Sequence, residues 1–252
     1  MVSNHRIATT DFAETARYAL ACSGFGRPAA DEARIVLFDS AAWAAYAHMA
    51  DEWLDANERA RAARFHFERD YLAYVMAHAI WRIALSVCLG TETDRVPLTH
   101  TSNGQPQLPG TSLSTSLSHS GNYVAMAICG APTVGIDIEQ SPPRIVLDDL
   151  LTTICTPAEA AALQELPPAA RTQTLLTLWT RKEALLKAFG VGLAQAPATL
   201  SAMSDEPVAP PAQAVGPWPC RVRTLEVPFD CVGALAAPVA VVACNLHYLS
   251  VA

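Results

Sequence analysis

Tyr123-Val124-Ala125-Met126-Ala127-Ile128-Cys129 leads through Gly130-Ala131-Pro132-Thr133 into Val134-Gly135-Ile136-Asp137-Ile138-Glu139. The first segment is an apolar run of strand length, the second is turn chemistry, and the third resumes a strand, so the spacing predicts a hairpin. It also predicts a seam. On either side of Gly130–Thr133 lie a long helical pattern and strand-like segments, which gives two comparable halves, residues 1–130 and 131–252.

In the first half, Ile35-Val36-Leu37-Phe38 reads as a buried strand. Asp51 to Leu89 carries a broad apolar stripe at three-to-four spacing and ends at Gly90, a C-cap residue. Thr111–Asn122 is polar and reads as a loop holding Ser118-His119-Ser120-Gly121. In the second half, Thr156-Pro157-Ala158-Glu159 has the form of a capped helix start. A long helix is predicted over Arg171–Phe189, stopping at Gly190. The Pro- and Ala-rich stretch 201–220 reads as a loop, with strands returning at Arg221–Val227 and Val239–Leu249.

Composition excludes several function classes. The chain has 252 residues and a net charge of −7, so no broad basic field is present to neutralise nucleic-acid phosphates. No apolar run reaches the length of a membrane span, and Met1–Asp11 lacks the apolar core of a secretory signal. Seven scattered cysteines without a C-x-x-C pair indicate buried thiols in a reducing cytoplasm. The basic residues are 15 arginines and two lysines, Lys182 and Lys187. A lysine retained against that background is expected to serve a purpose arginine cannot.

The chemistry concentrates on three acids. Strand alternation places Asp137 and Glu139 on one face, roughly 7 Å apart, with Ile136 and Ile138 on the other. Two such carboxylates repel unless a cation lies between them, and Mg²⁺ suits oxygen ligands and a phosphate-bearing substrate. At about 100° per residue, Leu175, Leu178, Trp179, Leu186 and Phe189 form an apolar stripe on the long helix. Lys182 falls inside that stripe, where its ammonium needs a partner or a route to solvent. Glu183 stands at the stripe's edge, four residues before Lys187. The Ser118–Gly121 segment offers hydroxyls, an imidazole and a glycine to a phosphate.

These features together resemble the 4′-phosphopantetheinyl transferase superfamily in its longer, single-chain Sfp-like form. One hallmark is the strand Gly135-Ile136-Asp137-Ile138-Glu139. The other is W-x-x-K-E-x-x-x-K, here Trp179-Thr180-Arg181-Lys182-Glu183-Ala184-Leu185-Leu186-Lys187, some 40 residues later. Ser118-His119-Ser120, the Glu58–Arg82 segment and Thr156–Glu159 resemble further parts of the pattern. The resemblance implies an α+β fold of two pseudo-symmetric halves, each a small antiparallel sheet packed with a long helix, with the active site in the cleft between them. It implies transfer of the 4′-phosphopantetheine arm of coenzyme A to a serine of an apo acyl, polyketide or peptidyl carrier protein, releasing 3′,5′-ADP. By the same resemblance Asp137, Glu139 and Glu183 hold Mg²⁺, Glu183 is a candidate base, and Lys187 and Lys182 support the pyrophosphate. Ser118 and His119 contact the nucleotide. Where the family usually has Gly-Lys-Pro, this chain has Gly104-Gln105-Pro106, which brings hydrogen bonds but no charge; Arg61 is the compensating cation. A cytoplasmic monomer without nucleic-acid or membrane partners is expected. The other readings are a catalytically weak carrier-binding relative and a metal-dependent phosphohydrolase using the same acids.

Overall fold

The computed structural model describes residues 11–228 and 230–251. In chain order the helices are α1 (Phe12–Cys22), α2 (Ala47–Ala50), α3 (Ala56–Ala62), α4 (Glu68–Leu89), α5 (Leu151–Ile154), α6 (Pro157–Gln164) and α7 (Pro168–Phe189). The strands are β1 (Glu32–Asp39), β2 (Thr99–His100), β3 (Pro106–Gln107), β4 (Ser114–Ser120), β5 (Tyr123–Cys129), β6 (Gly135–Gln140), β7 (Cys220–Leu225), β8 (Cys231–Pro238) and β9 (Ala243–Tyr248). The architecture is α+β, as expected, in four layers: helices, sheet, sheet, helices.

Strand alternation builds the layers. In β1, Val36 and Phe38 face α1 and α4, where they join Phe12, Trp43, Ile80 and Met126 in one core. Ile35 and Leu37 point the other way and meet Ile136, Ile138 and Leu235 of the second sheet. The far face of that sheet, Val222, Ala234 and Ala236, packs on Leu178, Leu185 and Leu186 of α7. Helix α4 has the length and apolarity of a membrane span, but most of it is buried in the first core. All seven cysteines are free thiols.

Several expectations need correction. Segment 123–129 does not form a hairpin with 134–139. β5 pairs antiparallel with β4 and β1, while β6 crosses to the second sheet, ordered β6-β8-β7. The true hairpin is β4–β5, closed at Gly121-Asn122, with Gly121 at φ 59°. Ser118-His119-Ser120 therefore lies on a strand rather than in a loop. The helical pattern over 51–89 is interrupted, with α3 and α4 separate elements. The first sheet, β4-β5-β1-β9, is mixed, because β9 pairs parallel with β1. That strand completes the sheet of the first half although it comes from the end of the chain.

Two glycines place the long second-half helix. Gly190 adopts φ 68° and ends α7. At Gly135, a Cβ would collide with the Ala184 carbonyl oxygen and the Ala188 nitrogen, so β6 lies directly against the α7 backbone. Gly135→Ala is expected to cost about 1–3 kcal/mol, as overpacking does, measurable by urea unfolding. A variant as stable as the parent would mean that the close approach is not needed.

Candidate active site

The close approach at Gly135 brings the acids of β6 to the lysine of α7. Lys187 Nζ donates to Asp137 Oδ1 at 2.7 Å and to the Ile136 carbonyl at 3.0 Å. Asp137 is 4% exposed, so it is a buried ion-pair partner. Its Oδ1 also accepts from Ser118 Oγ at 2.8 Å, while its Oδ2 is buried without a partner. Glu139 accepts from Ser120 Oγ at 2.8 Å and from Trp179 Nε1 at 3.4 Å. Burial and the nearby Asp137 charge raise the pKa of Glu139.

Glu183 is the most perturbed of the three acids. Burial first, and then repulsion by Asp137 and Glu139, push it up to about 7 against the pull of Lys187. Its Oε1 is buried and unpartnered. A carboxylate crowded by two others, with unpaired oxygens on two of the three, suits a divalent cation in donor chemistry. Among the described residues no three His, Cys, Asp or Glu side chains are already gathered closely enough to hold an ion. In this structure the Lys187 ammonium supplies the positive charge at Asp137.

Of the three acids Glu183 lines a cleft of about 560 Å³ between the halves, with Lys187 beside it and Arg61, Tyr74, His78, Trp81 and His119 on the other side. His119 stands on its wall with the ring reaching solvent. Crowding by the cleft strips water from the imidazole, and His78, Lys187 and Arg61 add positive charge, so its pKa is lowered. Arg61 lines the same cleft, its guanidinium over the Tyr74 ring. A second cleft of about 580 Å³, walled by Leu108, Phe189 and Trp218, has no charged side chain among the described residues that line it and is not where this chemistry lies.

Three sequence assignments change. Lys182 is remote from the cleft. It is fully buried, and Nζ donates to the Ile154 carbonyl at 2.7 Å, Glu159 Oε2 at 2.5 Å and the Pro197 carbonyl at 3.2 Å. One residue of helix turns it about 100° away from Glu183, toward α6. Ser118 is buried, with its hydroxyl committed to Asp137. Gln105 does reach the cleft, but its Nε2 donates to the Lys187 carbonyl at 3.2 Å. Asn103 Nδ2 donates to the Gly190 carbonyl at 3.2 Å, so this loop caps the end of α7.

The sequence reading missed a buried cluster on the opposite wall. Glu58 accepts from His78 Nδ1 at 3.0 Å and Arg82 Nε at 2.8 Å. Burial opposes its ionisation, yet these bonds hold it down at about 2. Asp55 and Glu58 form a capping box, a signal legible as D-x-x-E.

Two family models match adjacent segments of the chain. One, described as 4′-phosphopantetheinyl transferase, N-terminal, covers residues 41–130. The other, the 4′-phosphopantetheinyl transferase superfamily, covers residues 133–219 and includes all three acids. The chain belongs to the 4′-phosphopantetheinyl transferase superfamily. Similar proteins include the 4′-phosphopantetheinyl transferase HetI of Nostoc sp., 34% identical over 56% of this chain and 62% of the relative. A 4′-phosphopantetheinyl transferase of Bacillus subtilis is 27% identical, again over 56% of this chain and 62% of its own length. The L-aminoadipate-semialdehyde dehydrogenase-phosphopantetheinyl transferase of Xenopus laevis is 29% identical, over 56% of this chain and 53% of its own. The matches thus span between about half and two thirds of these superfamily relatives. The boundary between the two family models falls at Ala131-Pro132, where the chain passes from one sheet to the other.

Proposed function

We propose that this chain is a 4′-phosphopantetheinyl transferase. It moves the phosphopantetheine arm of coenzyme A to the serine of an apo carrier protein, with Mg²⁺, and releases 3′,5′-ADP. The observation that carries this reading is Glu183 and Lys187 lining a cleft between two superfamily halves, with Lys187 paired to Asp137 and with Glu183 within electrostatic reach of Asp137 and Glu139. Membership in the superfamily and the names of the relatives support it.

In this reading Asp137, Glu139 and Glu183 would hold the metal, which when bound supplies positive charge to the pyrophosphate oxygens. The remaining work falls to the chain's own side chains. The carrier serine oxygen attacks the phosphorus bearing the pantetheine arm, a new P–O bond forms, and the P–O bond to the departing 3′,5′-ADP breaks. Glu183, which lines the cleft, is suited to receive the serine proton directly or through water. Lys187 places a compact positive charge where the leaving group gains negative charge. Arg61 offers positive charge and His119 a neutral ring N–H to the nucleotide end of the cleft, and Gln105 supports the helix rather than a phosphate. The free thiols fit a reducing cytoplasm, which is part of this proposal.

The test is incubation with coenzyme A, Mg²⁺ and a panel of apo carriers. A mass gain of roughly 340 Da on the carrier is expected, with none when the metal is chelated. No modification of any carrier by the folded protein would refute the reading. Nucleotide released from coenzyme A without an acceptor would point instead to hydrolysis.

A further inference from the structure

Strand β4 is fastened to β6 by hydroxyl groups. In Ser114-Thr115-Ser116-Leu117-Ser118-His119-Ser120 the serines alternate, so all four leave the same face. Ser114 Oγ donates to the Ala131 carbonyl at 2.8 Å, and Ser116 Oγ accepts from the Ile136 N–H at 3.1 Å. Ser118 donates to Asp137 Oδ1, and Ser120 donates to Glu139 Oε2, each at 2.8 Å. Ser120 Oγ also accepts from the Gln140 N–H at 3.1 Å. The two strands belong to different sheets, so these side chains do what a backbone ladder does elsewhere.

We propose that Ser118 and Ser120 are positioning residues that set the orientation of Asp137 and Glu139 from the opposite half. This rests on the reading of those acids as metal ligands. A hydroxyl fixed on one carboxylate oxygen defines the direction of the other. Asp137 Oδ2 is left buried and unpartnered, and Glu139 Oε1 is left with the long contact to Trp179. Glu183, on a helix, has no serine in its hydrogen-bonding and keeps an unpartnered Oε1. Two acids are thus preset across the seam between the halves, and the third closes from α7. Cation binding is thereby tied to the seating of one half on the other, because the residues that aim the ligands belong to β4 and the ligands to β6.

The test is Mn²⁺ titrated into the full chain, with and without coenzyme A, and followed by electron paramagnetic resonance. Ser118→Ala and Ser120→Ala are expected to weaken Mn²⁺ binding about 10–100-fold, as loss of a ligand's hydrogen-bond partner does. Ser118→Thr, which keeps the hydroxyl, should recover most of that loss. Ser114→Ala removes a seam hydroxyl that touches no acid and should leave Mn²⁺ affinity within about twofold, whatever it does to the melting point. Wild-type Mn²⁺ affinity in both Ser118→Ala and Ser120→Ala would overturn the inference alone. Failure of the unaltered chain to take up Mn²⁺ would overturn the metal reading as well, so the two failures are distinguishable.

Discussion

Lys182→Ala is expected to destabilise the protein by about 3–5 kcal/mol, the cost of stranding one member of a buried ion pair. The Lys182 ammonium has no exposure and satisfies Glu159 Oε2 together with the carbonyls of Ile154 and Pro197. Without it, Glu159 keeps only the N–H groups of Thr156 and Ala202. Burial raises the Glu159 pKa, but the bonds from Lys182, Ala202 and Thr156 hold it below the usual range. That stabilisation is present above the unfolded pKa and is lost as acid protonates the carboxylate, so the variant's deficit should shrink at low pH. A domain of this size loses about 2–4 °C of melting temperature per kcal/mol, which makes a fall of about 6–20 °C the expected reading. The double variant Lys182→Met, Glu159→Gln removes both charges and should regain much of the loss. A Lys182→Met protein as stable as the parent but unable to transfer the arm would reverse this assignment and return Lys182 to the chemistry.

That lysine shows how far the sequence could be read. Its place in the apolar stripe demanded a partner or a route to solvent, and a buried partner is what it has; the partner's identity, and with it the lysine's distance from the cleft, was hidden, since Glu159 reaches it through tertiary packing. The capped start at Thr156-Pro157 and the stop at Gly190 were visible because caps are local chemistry. So were the alternating faces of β6, with Ile136 and Ile138 in the inter-sheet core. β4 escaped because its buried face is made of serines, which mimic a loop when strands are sought by apolar alternation. β8 escaped for a related reason: Cys231-Val232-Gly233-Ala234 is built of small residues, although it is the central strand of its sheet. Once β4 is unseen, the strand next to β5 in the chain is β6, and the mistaken hairpin follows. The acids were legible as residue types, but their buried serine and lysine partners depended on which sheet edges meet.

Glu183→Gln is expected to abolish transfer while making the metal-free protein more stable at alkaline pH. The activity loss should be at least about 100-fold, since the variant lacks a proton acceptor and an anionic metal ligand. The stability gain follows from the pKa. Burial and the charges of Asp137 and Glu139 lift Glu183 from 4.5 to about 7, so the folded state holds a proton that the unfolded chain has released. The contribution is therefore greatest below about pH 4.5, declines as pH rises, and is gone above pH 7, where the folded protein bears a crowded carboxylate. At about 1.4 kcal/mol per pKa unit the ceiling is about 3 kcal/mol, and partial solvent access reduces it to about 1–2 kcal/mol. The substituted amide carries no such charge, so metal-free melting curves should separate by about 2–8 °C at pH 8 and converge near pH 5. Saturating Mg²⁺ with coenzyme A should reverse the order, because ligand binding stabilises only the parent strongly. Equal melting temperatures at pH 8, with transfer intact, would remove Glu183 from both the metal site and the proton path.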